Sequence, residues 1–175
     1  MDRYNMCRPV TLTRRAGEAY RRRMTDLTLR PVAPADFEQW LPLWDAYNAF
    51  YGRSGPTRLD PAITDITWAR FFTAAEPLHA LVAEQGGQLL GLAHYLFHRT
   101  TTMIAHTCYL NDLFTAPAAR GQGVGRALIE AVAEQARAAG SARLYWLTHK
   151  TNATARKLYD AVAKDSGFIV YRMEL

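Results

Sequence analysis

A chain of 175 residues, 49% of them hydrophobic, is long enough for one domain with a substantial core. No apolar run reaches the roughly 18 residues of a membrane span, and two cysteines, Cys7 and Cys108, are too few for a disulfide framework, which suits a reducing cytoplasm. Of the 21 basic and 16 acidic residues, seven and two fall in residues 1–23, which leaves 14 of each in the rest; the net charge of +5 thus belongs to the extension, and nucleic acid is not an expected partner of the domain.

Residues 1–23 contain no apolar h-region and so no secretory signal. A transit peptide, an RNA-binding arm or an over-long start assignment would each show this arginine-rich composition. Met24, just ahead of the first strand, is the expected start. The extension 1–23 is expected to be non-functional beside one domain over 24–175.

Residues 27–31 alternate and predict an edge strand. Pro34 opens a helix with Asp36 and Glu38 in its first turn, where the dipole favours acids. Phe37, Trp40, Leu41, Trp44, Tyr47 and Tyr51 recur at helical spacing up to Gly52. A second helix is expected from Pro61 to about Ala74, with Ile63, Ile66 and Phe71 inward. Residues 78–84 and 89–98 predict a hairpin around Gly86-Gly87, and residues 107–115 a third strand. A helix follows over 122–139, with Val124, Leu128, Ala131, Val132 and Gln135 on one face and Gly140 as its stop. Residues 142–148 predict a strand, 152–163 a helix and 168–175 a last strand. Cys108, within an apolar strand, is expected to be a buried small hydrophobe.

The stretch Arg120-Gly121-Gln122-Gly123-Val124-Gly125-Arg126 joins a strand to a helix N-terminus. Glycines let backbone N–H groups approach a ligand, and the first helical turn leaves those donors unpaired. Such a turn binds phosphate or pyrophosphate. It is not a P-loop, because Arg126-Ala127 follows Gly125 where Lys-Ser/Thr is required. It is not a dinucleotide fingerprint: the glycines are spaced G-x-G-x-G, and the 50 residues after Gly125 cannot supply a second βαβ half.

The remaining pattern, R/Q-x-x-G-x-G/A, resembles the coenzyme A pyrophosphate loop of the GNAT superfamily of N-acetyltransferases. The order of motifs strengthens the resemblance: Leu144-Tyr145-Trp146-Leu147-Thr148, then Asn152-x-x-Ala155-x-x-Leu158-Tyr159, then Gly167-Phe168. The segment Leu144-Tyr145-Trp146-Leu147-Thr148, with Leu158-Tyr159-Asp160-Ala161-Val162-Ala163 and Phe168-Ile169-Val170-Tyr171, looks closest to the fungal histone and polyamine acetyltransferase branch and its bacterial relatives, whose polyamine-acetylating members carry a pattern that Leu110-Asn111-Asp112-Leu113-Phe114 follows in part. The implied fold is an α/β (α+β) GNAT fold, a mixed central sheet of about six to seven strands flanked by about four helices.

The resemblance implies acetyl-CoA as co-substrate, no metal, and direct acetyl transfer to a primary amine. The cofactor would be held by Arg120, Gly121, Gln122, Gly123, Val124, Gly125 and Arg126 at the pyrophosphate and by the main chain of Leu113, Phe114 and Thr115 along the pantetheine. Asn152 would lie near the pantetheine arm, or cap its helix. Tyr159 would be the acid at the sulfur, since an ordinary tyrosine near a pKa of ~10 stays protonated. The branch carries an acidic pair before the loop; here Asn111 replaces the first acid and Asp112 remains. Strand alternation would put the two on opposite sides, with Asn111 able to bind an ammonium or order a water. Glu84, Asp45, His94 and His98 are the other titratable candidates, and Tyr47, Tyr51 and Trp68 candidate pocket lining.

A domain of balanced charge favours a small amine or amino acid over histone tails or polyamines. The rival readings are a non-catalytic acyl-CoA-binding module and an aminoglycoside or protein N-acetyltransferase. An unpaired last strand predicts a homodimer.

Overall fold

Gly86 and Gly87, with φ of 59° and 79°, take the left-handed conformations of a two-residue hairpin turn. They join β2 (Leu78–Gln85) to β3 (Gln88–His98). The computed structural model describes residues 26–175; the extension 1–23, Met24 and Cys7 lie outside the described residues. β1 (Thr28–Pro31) and β4 (Thr107–Thr115) pair antiparallel on either side of the hairpin, and β5 (Arg143–Trp146) adds parallel to β4. The sheet order is β1-β2-β3-β4-β5.

Four α-helices cover this sheet among the described residues: α1 (Phe37–Phe50), α2 (Pro61–Arg70), α3 (Val124–Ala138) and α4 (Ala153–Val162). One sheet face packs Leu81, Ala83, Ala93, Tyr95, Cys108 and Leu110 against α3. The other packs Val82, Leu89, Leu92 and Phe114 against Trp40, Leu43, Trp44 and Tyr47 of α1. Cys108 is fully buried, and burial pushes its thiol up to about 11, the behaviour of a core hydrophobe. No helix of the described residues is long and apolar enough to cross a membrane.

The fold class is as expected, but several details differ. Five strands form among the described residues, not six or seven. The segment expected as the last strand, 168–175, makes no sheet pairing, and Phe168 and Tyr171 are 90% and 89% exposed. A strand exists only where its N–H and C=O groups meet another edge, and among the described residues that segment meets none. The inward face of α3 is carried by Val124, Leu128, Ile129, Val132 and Ala136, while Gln135 points to solvent. In α2, Ile63 and Ile66 are exposed. Trp68 and Phe71 instead close over Trp40, at ring centroid distances of 4.8 and 6.0 Å. Large rings already fill the space above the sheet, so the branched side chains one turn earlier are left outside.

Candidate active site

β4 and β5 run together only from Thr107 to Leu110, where Leu110 meets Trp146. Beyond this point β5 ends while β4 continues to Thr115. The outer edge of residues 111–115 therefore faces no strand, and its main-chain groups are open to an extended ligand. A small pocket opens at the split, lined by Tyr47, Tyr51, Leu110, Asn111, Leu113, Trp146, Leu147 and Tyr159.

The glycine turn lies at the end of β4. Gly121 and Gly123 have φ of 72° and 88°, conformations that strain any residue with a Cβ. Gly123 caps α3 with no side-chain hydrogen bond, and the first helical bond is Ala127 N–H to the Gly123 carbonyl at 3.0 Å. The N–H groups of Val124, Gly125 and Arg126 therefore precede the helical ladder and remain as donors. Gly125 sits where α3 meets β4 and α4: a Cβ there would stand 3.4 Å from both Thr115 Oγ1 and Leu158. Of the flanking cations, Arg120 is exposed, lies over the Phe114 ring at 5.6 Å and donates through Nε to the Thr115 carbonyl. Arg126 pairs with Glu130 at 3.7 Å. Gln122 donates to the Ala118 carbonyl at 2.8 Å. A pyrophosphate fits this set: three free N–H donors, a positive helix end and two movable cations.

Asn152 caps α4, accepting from Ala155 N–H at 3.4 Å and donating to Thr148 Oγ1 at 3.3 Å. The helix it starts carries Tyr159 to the pocket. The Tyr159 ring stands edge-on to Trp146 at 5.3 Å. Burial, with a smaller contribution from Tyr51, pushes the Tyr159 hydroxyl up to about 12.

The expected alternation of Asn111 and Asp112 is broken by a bulge. Tyr95 faces Leu110 and His94 faces Asp112, so Asn111 is an extra residue with no partner in β3. Asn111 lines the pocket, while Asp112 is buried behind it on the α1 side. Asn111 Nδ2 donates to Asp112 Oδ2 at 2.9 Å, so the neighbours meet rather than diverge. The same carboxylate oxygen accepts from His94 Nδ1 at 3.0 Å. The indole N–H of Trp40 can only donate, and it reaches His94 Nε2 at 3.0 Å. This fixes the proton of the neutral imidazole on Nδ1. The Tyr47 hydroxyl is turned toward the same carboxylate, and its pKa lies far above the ordinary tyrosine value, through burial first and Asp112 second. Burial alone would raise the Asp112 carboxyl. The hydrogen bond from His94, with Tyr47 and Asn111, outweighs it and holds the group below the ordinary carboxylate value.

The remaining expected candidates lie elsewhere. Glu84 pairs with Arg30 at 2.6 Å on the far side of the sheet from β5. Asp45 is exposed on α1. His98 bonds Tyr145 and the Arg99 carbonyl. Trp68 belongs to the aromatic cluster around Trp40, not to the pocket. Tyr47 and Tyr51 do line the pocket, as do Trp146 and Leu147, which the residue pattern had not singled out. The Trp40–His94–Asp112 chain was also unread. Its one visible signal is a polar residue on an otherwise apolar strand face, opposite a tryptophan stripe.

The profile described as "Acetyltransferase (GNAT) family" matches residues 40–163. The chain belongs to the GNAT family of acetyltransferases. Among relatives, this GNAT chain is 34% identical over 148 residues to the D-amino-acid N-acetyltransferase HPA3 of Saccharomyces cerevisiae, covering 83% of this chain and 89% of that one. It is 29% identical over 102 residues to the thialysine N-epsilon-acetyltransferase of Caenorhabditis elegans, covering 55% and 63% respectively. In fold it is similar to AAC(6')-Iy in complex with a bisubstrate analogue, with a TM-score of 0.70 at 18% identity over 85% of this chain and 98% of that one. This GNAT protein is accordingly an acyltransferase, and enzymes of its family draw on acetyl-CoA. Among the described residues no group of three or more His, Cys, Asp or Glu side chains is arranged to hold a metal ion.

Proposed function

We propose that this enzyme acetylates the free amine of a small molecule, an amino acid or a similarly compact amine. The observation that carries this is the adjacency of an N–H cradle, an open strand edge and a small pocket floored by Asn111 and Tyr159. The relation to a D-amino-acid N-acetyltransferase supports the acceptor class.

When bound, acetyl-CoA supplies the acetyl group as a thioester and a thiol as leaving group. Val124, Gly125 and Arg126 donate to the pyrophosphate, with Gly121, Gly123 and Gln122 shaping the turn and Arg120 and Arg126 adding charge. The main chain of Leu113, Phe114 and Thr115 binds the pantetheine as an added strand, and Asn152 sets α4 so that Tyr159 reaches the sulfur. At a pKa of about 12, Tyr159 lies roughly 3.5 units above an ordinary thiol, so full proton transfer to a thiolate is uphill by about 5 kcal/mol. Tyr159 therefore acts by donating a hydrogen bond to the developing negative charge, a type of contact worth about 10²–10³-fold in rate.

Among the described residues no carboxylate lines the pocket. Asp112 is engaged by His94 and Asn111, and holds these groups instead of taking a proton. Asn111 donates one of its two Nδ2 hydrogens to Asp112, which orients the amide so that its carbonyl oxygen can accept from the N–H of a neutral amine, turning the amine lone pair toward the thioester. Neutralising a lysine-like ammonium at pH 7 costs about 4.6 kcal/mol, and this cost falls on solvent before binding.

The same reading assigns the enzyme to a reducing cytoplasm, with Cys108 a free buried thiol. It also assigns a homodimer: β5 is a sheet edge, and the apolar side chains of 168–175 stand exposed for pairing with a second copy. Mass spectrometry of amines incubated with enzyme and acetyl-CoA tests the activity; an N-acetyl product from a small amine is expected, and product on none would refute it. Sedimentation at micromolar concentration tests the dimer, and a monomer would overturn it.

A further inference from the structure

Arg53 is a half-buried cation beside two tyrosines that line the pocket, and its position is built rather than incidental. Its backbone N–H donates to the Asn48 carbonyl at 2.9 Å, and its Nε donates to Asn48 Oδ1 at 2.7 Å. Asn48 is itself 4% exposed, and its Nδ2 is tied to the Trp44 carbonyl at 2.9 Å. A buried amide thus grips Arg53 at both ends. The guanidinium carbon lies 5.8 Å from the centre of the Tyr47 ring and 5.5 Å from that of Tyr51, and both rings line the pocket. Burial dominates the titration of both hydroxyls, yet the Arg53 charge acts on each in the opposite direction. Among the described residues no ion pair joins Arg53 to a carboxylate. With Nε committed, the two terminal nitrogens still present the planar edge that matches a carboxylate.

We propose that Arg53 binds the carboxylate of an amino-acid acceptor and thereby selects compact amino acids over polycations. This deepens the acetyl-transfer reading above and rests on it. A polyamine or aminoglycoside offers this pocket several positive charges. It would meet Arg53 and find no carboxylate in the lining to offset the encounter. An amino acid whose amine has lost its proton in solvent places that amine at Asn111 and its carboxylate at the guanidinium. Tyr47 and Tyr51 shield that ion pair from water, which strengthens it.

The test compares alanine and phenylalanine, in both configurations, with their carboxamides and with spermidine. It uses wild type, Arg53→Gln and Arg53→Lys, and coenzyme A affinity is measured alongside. The proposal expects wild type to prefer acids. It expects the acid-to-amide ratio of kcat/KM to fall at least tenfold in Arg53→Gln, chiefly through KM, with Arg53→Lys between the two and coenzyme A affinity retained. Equal losses on acids and amides, or weakened coenzyme A binding with an unchanged ratio, would overturn the role of Arg53 while leaving acetyl transfer intact. No acetylation of any amine by the wild type would overturn both.

Discussion

Asn111 Nδ2 lies 2.9 Å from Asp112 Oδ2, although the two residues are neighbours in one strand. A regular strand would send their side chains to opposite faces. The bulge at Asn111 removes that constraint and lets one buried carboxylate hold three groups at once: His94 behind it, Asn111 in front and Tyr47 beside it. The charged residue is thus the support, and the neutral amide is what the pocket presents.

Replacing the support is expected to be costly. Asp112→Asn removes a buried, charge-assisted acceptor and leaves His94 Nδ1–H and Asn111 competing for one amide oxygen. Such a loss typically costs about 2–3 kcal/mol. Urea unfolding at pH 7 reads this directly, and an unchanged midpoint would show that the network contributes nothing to stability.

Stability should also fall with acid. Asp36, held down first by its hydrogen bond from Arg30, and Asp112, whose partners outweigh its burial, both keep pKa values below the ordinary carboxylate. A group with a depressed folded pKa contributes in full above its unfolded value near ~3.9 and loses that contribution as pH falls through the folded value. Unfolding free energy measured between pH 7 and pH 2.5 should decline from about pH 5 downward. Asp112→Asn should make that decline shallower; an identical acid slope in the two proteins would contradict the assignment.

The rate should rise with pH. Among the described residues no carboxylate lines the pocket, so kcat/KM is expected to follow the neutral fraction of the acceptor with a slope of one up to the amine pKa. Tyr159, at about 12, adds no falling limb below about pH 11. A plateau reached well below the amine pKa would instead reveal a base within the enzyme.

Gly123→Ala tests the cradle. At φ 88° an added Cβ costs on the order of 1 kcal/mol and turns the first N–H groups of α3 away from their shared focus. Calorimetric titration should show coenzyme A binding at least tenfold weaker, with the fold retained by circular dichroism. Undiminished affinity would remove the turn from the binding site.

The parts of this molecule that depend on local spacing were legible in the residues. Gly121 and Gly123 marked the turn into α3 because left-handed backbone calls for glycine, and Tyr159 reached the pocket because helical phase is set by Asn152 at its start. What was not legible depends on distant pairing. Strand alternation misplaced Asn111 and Asp112, since a bulge is decided by the register of β3 against β4. Residues 168–175 show strand composition, but among the described residues no edge takes them up. Arg53 is one arginine in a turn. Its significance comes only from Asn48 beneath it and from the rings of Tyr47 and Tyr51, which the fold brings beside it.

The measurement closest to the central claim is release of free coenzyme A from acetyl-CoA in the presence of amino acids, for wild type and Tyr159→Phe. Turnover by the wild type, with kcat lowered about 10²–10³-fold in the variant and coenzyme A affinity unchanged, is the expected result. Equal turnover in the two proteins would remove Tyr159 from the chemistry, and binding of acetyl-CoA without turnover on any amine would contradict the account of the pocket as an acetyl-transfer site.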